Sequence, residues 1–379
     1  MSLLDTIDLL DRLVAYPSVS SASNLEISAA LAQRLEDIGA HVELLHSACG
    51  QKANLFARLG PEAPGGLLLS GHTDVVPTEG QVWQSDPFTL RREGDRLYGR
   101  GTCDMKGFVA AAVTCAPHHQ PDRPIYFSFT HDEEVGCLGA RALIPELKAR
   151  GIKPDMALIG EPTGMQVIDG HKGCAEYTTR FFGKAGHGSN PGAGVNAVEY
   201  AVRYAGRLMA LRGELMARAG PDSRFDPAWS TVNVGRIAGG VAHNVIPDYA
   251  EVFWEMRPVT AADAAHVHAQ LRALTDEIQA LIQAIHPEAW IDTREIGDVT
   301  GLTPMADNTL RDLLLDMLDQ PSAGTVPFNT EAGLFQSLGA DTVVCGPGHI
   351  AQAHTANEYI EISQLSACVD LLDRLMTQA

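Results

Sequence analysis

Four short apolar runs constrain this chain more than any other feature: GLLLS at 66–70, IYFSFT at 125–130, DMALI at 155–159 and TVVC at 342–345. Each is bounded by turn residues and is short enough for a strand buried in a sheet. Helical patterns lie between them, at Lys106–Cys115 and Arg141–Ala149. Two more precede them, at Leu3–Tyr16 and at Leu25–Ile38, the second stopped by Gly39. Strands alternating with helices imply an α/β fold, a mostly parallel sheet flanked by helices.

The middle of the chain reads differently. An alternating strand at Ala175–Phe182 is followed by a Gly-rich stretch, Gly183–Gly194, and a long helix, Val195–Ala219. Strands at Thr231–Ile237 and Tyr249–Met256, a helix at Ala261–Ile285 and a strand at Trp290–Ile296 complete the set. The order β-α-β-β-α-β is that of a ferredoxin-like α+β unit. We therefore expect an insertion at 173–297 that splits a larger domain built from 1–172 and 298–379. A chain of 379 residues is long enough for both.

Each of the four apolar runs leads into imidazole or carboxylate side chains. GLLLSG runs into His72-Thr73-Asp74, IYFSFT into His131-Asp132-Glu133-Glu134, DMALIG into Glu161, and TVVCG, after a Gly/Pro loop, into His354. The carboxyl ends of strands are where open α/β sheets build their sites. A Gly-rich loop, GRGTCDMKG at 99–107, adds Asp104 at the start of a helix. Alone, Asp104 would read as a helix cap; beside the other groups it reads as a ligand.

This donor set is imidazole plus carboxylate without cysteine. It suits zinc, cobalt or manganese and is too acidic for a single structural zinc. It fits two cations bridged by one carboxylate and one water. A further carboxylate must then move the water's proton, so one of the adjacent Glu133 and Glu134 is expected as ligand and the other as base. Asp74, two residues after His72, is placed to hold that imidazole's second nitrogen.

Net charge narrows the partners. With 28 basic and 47 acidic residues the chain carries −19, which repels phosphate backbones, so nucleic acid is not expected. No apolar run is long enough to span a membrane, and the N-terminal pattern is an amphipathic helix rather than a signal peptide. Seven cysteines without CxxC spacing suit reduced thiols, so the expected location is the cytoplasm. A nucleotide-dependent oxidoreductase would need GxGxxG after the first strand, which is absent.

The segments SGHTDVVP (70–77), GRGTCDMKG (99–107), HDEEVG (131–136), GEPT (160–163) and His354 resemble the dinuclear-zinc amidohydrolase and peptidase family. The resemblance runs from about residue 70 to 361. It implies that His72, Asp104 and Glu161 hold one metal, and that Asp104, Glu134 and His354 hold the other, with Asp104 bridging. Zn2+ is the expected cation, with Co2+ as the alternative. Glu133 would be the general base and acid, and Asp74 would orient His72. The insert would be a lid and dimerisation domain, giving a homodimer. Its GHGS segment, Gly186–Ser189, would bring His187 to the oxyanion, often from the partner subunit. Without the resemblance that Gly-rich loop reads as a phosphate cradle or a turn.

Within the family the segments 71–88, DEEVGCLGA (132–140), GHKG (170–173), TVNVGRIAGG (231–240), NVIP (244–247), EMRP (255–258) and NTEAGLF (329–335) resemble the acetylornithine deacetylase branch. The implied substrate is a small N-acyl amino acid, N2-acetyl-L-ornithine foremost, which places the reaction in arginine synthesis. Other N-acyl amino acids, succinyl-diaminopimelate and small peptides are the alternatives. Asn244 and Arg257 are expected to bind the substrate carboxylate, Arg through its planar fork. A turn role for Asn244 and a surface ion pair for Arg257 are the competing readings. Glu331 is expected to pair the distal ammonium. The run Thr355-Ala356-Asn357-Glu358-Tyr359 departs from the branch's Lys-Pro-Asp-Glu-Tyr-like pattern, which bears on specificity rather than on metal chemistry.

Overall fold

A computed structural model describes residues 3–378. The chain divides into two compact units. The first comprises the stretch ending at Gly170, Pro304–Thr325 and the stretch from Thr330 onward. The second comprises His171–Thr303 and Val326–Asn329. These limits differ from 173–297 because pairing continues past the apolar pattern. Val299 pairs with Cys174, and the His171 N–H donates to the Leu302 carbonyl. Val326–Asn329 joins the second unit as well, where Arg257 Nη1 donates to Asn329 Oδ1 at 3.1 Å.

The larger unit is built on an eight-stranded sheet. Its four central strands, Ile125–Thr130, Leu67–His72, Met156–Ile159 and Asp341–Val344, lie side by side and parallel. Ala53–Leu59 and then His41–His46 extend one side antiparallel, while Ile168–His171 and then Gly324–Val326 lie on the other. The central strands are buried on both faces, as their unbroken apolar character demands. On one face Leu67, Leu69, Phe127, Leu158 and Val343 pack with helices Leu3–Val14, Gly107–Cys115 and Ile362–Thr377. Alternate residues on the opposite face include Ser70, Ser128 and Thr130, buried and polar. His72 continues that polar row.

Register aligns the strand ends. His72 pairs with Thr130, and Ser70 pairs with Ile159, so Glu161, two residues on, stands level with His72. Gly160 lets the chain turn there in contact with the core, since a Cβ would fall 1.9 Å from the Phe108 ring. The helix after the Gly-rich loop starts later than its sequence pattern, at Gly107. The residues before it, Thr102–Lys106, form a wide π-type turn in which Asp104 and Met105 leave helical geometry.

In the second unit, Cys174–Phe182, Ala197–Ala217, Thr231–Gly239, Tyr249–Arg257, Ala261–Ile285 and Trp290–Val299 follow the expected β-α-β-β-α-β order. The antiparallel sheet is ordered Thr231–Gly239, Tyr249–Arg257, Cys174–Phe182, Trp290–Val299, the ferredoxin-like arrangement. The helices start on side-chain caps: Asn196 accepts from the Val198 and Glu199 N–H groups, and Thr260 from Asp263 N–H. Tyr177 and Trp254 are directly opposite across two strands and stack at 4.4 Å, centring this unit's core.

Candidate active site

The strand ends and the π-type turn bring the metal-ligand candidates of the first unit together. His72 Nε2 is 3.0 Å from Asp104 Oδ1 and 3.8 Å from Glu161 Oε1. His354 Nε2 is 3.3 Å from Asp104 Oδ2 and 2.9 Å from Glu134 Oε2. Asp104 thus turns one oxygen to each imidazole. Glu133 joins His72 and Glu161 in a group whose donor atoms all lie within 4.8 Å of one another.

The surrounding charges are in tension. Burial pushes the carboxyls of Glu133, Glu134 and Glu161 above the usual range, and their mutual repulsion adds to it. Burial acts the same way on Asp104, but hydrogen bonds from His354 and His72 outweigh it and hold this carboxyl low. His354 is raised to about 10 by hydrogen bonds to Asp104 and Glu134. His72 is buried, which disfavours its charged form, yet Asp104, Glu161 and Asp74 raise it well above its ordinary value. A buried cluster of carboxylates with two imidazole nitrogens aimed into it needs positive charge. The donor set, all oxygen and nitrogen, fits divalent cations of the zinc and cobalt type.

Asp74 meets the sequence expectation differently. His72 Nδ1 donates to the Asp74 main-chain carbonyl at 2.8 Å, while the carboxylate stands 3.7 Å away. That carboxylate is occupied elsewhere, accepting from Ser20 Oγ at 2.7 Å and from the N–H groups of Glu133 at 3.1 Å and Glu134 at 3.4 Å. It therefore seats both glutamates while its charge still favours the charged form of His72. Cys137 adds an S–H contact to Glu133 Oε1 at 3.4 Å.

Glu331 stands beside the same strand ends. It is 1% exposed and accepts from Thr130 Oγ1 at 2.6 Å, and burial pushes it up to about 7. Its carboxylate lies beside the strand end, as buried as His72, which is also 1% exposed. Glu331 is the residue before a short helix, Ala332–Gln336, whose Ala332 and Phe335 are core residues.

The remaining candidates lie in the second unit. His187 and Asn244 come together through a two-strand ribbon pairing Gly186–His187 with Val245–Ile246, and Gly188 N–H donates to the Asn244 carbonyl at 2.8 Å. His187 is exposed, and Ser189 N–H donates to its Nδ1 at 3.2 Å. Arg257 is half-buried and already bound: Nη2 donates to Glu255 at 3.0 Å and Nη1 to Asn329.

Sequence reasoning missed Glu358 and Arg100. Both are buried, and Glu358 receives main-chain N–H groups from the very turn that carries Asp104. An acid four residues beyond a ligand, in a chain with an Arg inside its Gly-rich ligand loop, was the available signal.

Residues 68–378 match the model of peptidase family M20/M25/M40. The chain belongs to this family. An acetylornithine deacetylase of Aliivibrio fischeri is 36% identical over 382 residues, covering 97% of each chain. Among solved structures, an M20 metallo-carboxypeptidase of Sulfolobus solfataricus superposes with a TM-score of 0.75 at 19% identity, covering 99% of both chains. A dinuclear metal-binding M20 peptidase of Bacillus subtilis does so at 0.67 and 15%, covering 99% of this chain and 98% of its own. This M20 chain is a metal-dependent amidohydrolase, and its substrate is a small molecule. Among the described residues no helix is long and apolar enough to cross a membrane.

Proposed function

We propose that this chain removes the acyl group of an N-acyl amino acid, N2-acetyl-L-ornithine foremost, giving acetate and L-ornithine for arginine synthesis. The observation that carries this reading is Asp104, one oxygen facing His72 and the other facing His354. His72, Asp104 and Glu161 would hold one cation, and Asp104, Glu134 and His354 a second, both Zn2+, with Co2+ able to replace them. When bound, such a pair supplies Lewis acidity that polarises the amide carbonyl and acidifies water.

The chain's own residues do the rest. Glu133 takes a proton from the attacking water as its oxygen bonds to the carbonyl carbon. It returns that proton to the amide nitrogen as the C–N bond breaks, giving the amine and a carboxylic acid, whose proton passes to the amine so that ammonium and carboxylate leave. Asp74 holds the main chain of Glu133 while Cys137 touches its carboxylate. The Ser189 N–H makes Nδ1 of His187 an acceptor, which leaves Nε2–H as a donor for the oxyanion. A substrate carboxylate would displace Glu255 from the Arg257 fork, with Asn244 as its second partner. The 36% identity to an acetylornithine deacetylase over nearly the full chain supports the choice of substrate. Free thiols at all seven cysteines suit a cytoplasmic setting.

A panel of N-acyl amino acids, assayed with added zinc and cobalt, tests the substrate. N2-acetyl-L-ornithine should give the highest kcat/KM, and a preferred succinyl or dipeptide substrate would move the chain to another branch. Glu331→Gln belongs in the same panel. With Glu331 as the partner of the substrate's distal ammonium, the substitution should raise KM for acetylornithine far more than for an uncharged acyl amino acid. Equal effects on both substrates would remove Glu331 from that role.

The same reading includes a homodimer through the second unit. Helix Ala197–Ala217 exposes Val202, Met209 and Met216, each by more than half. Gly206 and Gly213 fall between them, and nothing lies within 4 Å of their Cβ positions. This 4-3 spacing of apolar and small residues is a helix-packing seam, and glycines let a partner helix approach closely. The edge strand Thr231–Gly239 packs on the same helix. Met209→Glu should convert a dimer to a monomer in light scattering with the circular dichroism unchanged; a dimer that persists would exclude this face.

A further inference from the structure

Two buried charges close to the ligands take no part in the chemistry above. Arg100 and Glu358 are each 1% exposed and pair at 2.8 Å. Three main-chain N–H groups converge on the Glu358 carboxylate: Gly101 to Oε2 at 2.9 Å, and Cys103 and Asp104 to Oε1 at 2.9 and 3.0 Å. With Arg100 Nη1 on Oε2, these four donors match the capacity of an ionised carboxylate. Such an N–H concavity commonly takes an anion from solution. Here it is filled by the chain itself, and the residues it grips are those that present Asp104.

The other end of the network reaches His354. Arg100 Nη2 donates to Gln81 Oε1 at 2.6 Å, and Gln81 Nε2 donates to the His354 carbonyl at 2.8 Å. Arg100 Nη1 also reaches the Thr355 carbonyl at 3.4 Å, and its guanidinium lies over the Trp83 ring at 5.0 Å. His354 needs this support. Its φ is +61°, an uncommon conformation for a residue other than glycine, and its side chain is 52% exposed, so packing does little to fix it.

We propose that Glu358, acting through Arg100 and Gln81, is a positioning residue that sets the spacing between Asp104 and His354, and so the affinity of the Asp104–Glu134–His354 site for its cation. This rests on the reading that those three residues hold a metal. Glu358 touches neither cation nor substrate. Replacing it with Gln puts an amide NH2 against N–H donors, and the turn and the His354 loop lose their common anchor. The site that needs His354 should suffer more than the one built on His72, the last residue of its strand, and Glu161, two residues past the end of its own.

Cobalt titration of the metal-free full chain, followed by calorimetry and by the absorption of bound Co2+, tests this with wild type, Glu358→Gln and Gln81→Ala. Wild type should bind two equivalents. In Glu358→Gln the second equivalent should weaken by about 10- to 100-fold, the loss usual for outer partners of a metal site, and the first by much less. Gln81→Ala should show the same split at smaller size. A residue that only supports the fold would lower the melting temperature without separating the two equivalents. A second equivalent as tight in both variants as in wild type, or an equal loss of both, overturns the proposal. If Glu358→Gln does not fold, Gln81→Ala decides by the same criterion. A wild type that binds fewer than two equivalents overturns the functional reading, and the positioning role with it.

Discussion

Glu133→Gln is expected to lower kcat by about a hundredfold to ten-thousandfold while both cations stay bound, the range of a lost general base and about 3–5 kcal/mol of barrier. The change removes one function and spares the structure around it. Glutamine has the same shape, and Asp74 grips residues 133 and 134 through their main-chain N–H groups, which the substitution leaves in place. The Cys137 contact to Oε1 can persist on an amide oxygen. Glu134, the neighbouring ligand candidate, keeps its approach to His354. Elemental analysis should therefore still find two metals per chain. Turnover near the wild-type rate with both metals present would remove Glu133 from the role of base.

Asp104→Asn should act by a different route, through the metals themselves. Asp104 turns an oxygen toward each imidazole, and its replacement by an amide leaves one oxygen and one NH2 where two anionic oxygens stood. The NH2 cannot ligate. Fewer than two metals per chain should remain after dialysis, and kcat/KM should fall by at least about a hundredfold. The N–H of residue 104 still reaches Glu358, so the turn has reason to hold its shape. Two tightly held metals in this variant would mean that Asp104 does not bridge. The pair of variants separates the two roles: one should keep the metals and lose the proton transfer, the other should lose the metals.

The sheet and the ligand candidates were legible because their signals are local. An apolar run of strand length followed by His or an acid needs only neighbouring residues to be read, and register then carries His72 and Glu161 to one level. The ferredoxin-like order of the second unit was legible for the same reason, since alternation and helical periodicity survive in short windows. Boundaries were less so. The strand at Trp290 continues to Val299, because its last residues pair with Cys174, a partner far away in the chain.

Side-chain roles were the least legible. Asp74 sits two residues from His72, and spacing suggested a carboxylate–imidazole pair. The main-chain carbonyl takes that nitrogen, and the carboxylate turns to Ser20, Glu133 and Glu134. The burial of Glu331 against Thr130, ahead of a short core helix, has no local signal. Asn357, in the run that departs from the branch pattern, has φ of +59°, a conformation that Asn tolerates better than most residues, and its side chain accepts from Gln84 N–H. The altered run is thus a fitted turn leading to Glu358.

By itself, then, the sequence determined the layered α/β scaffold, the inserted second unit and the imidazoles and carboxylates that gather at the strand ends. Periodicity and residue type are properties of adjacent residues, and they need no knowledge of distant ones. Only the tertiary structure decided which oxygen of Asp104 faces which histidine, that the Asp74 carboxylate also holds the glutamates, that Glu331 is buried against Thr130, and that Glu358 and Arg100 tie two loops together. Each of these is a contact between segments far apart in the chain, and its energy depends on burial and distance, which no local pattern records.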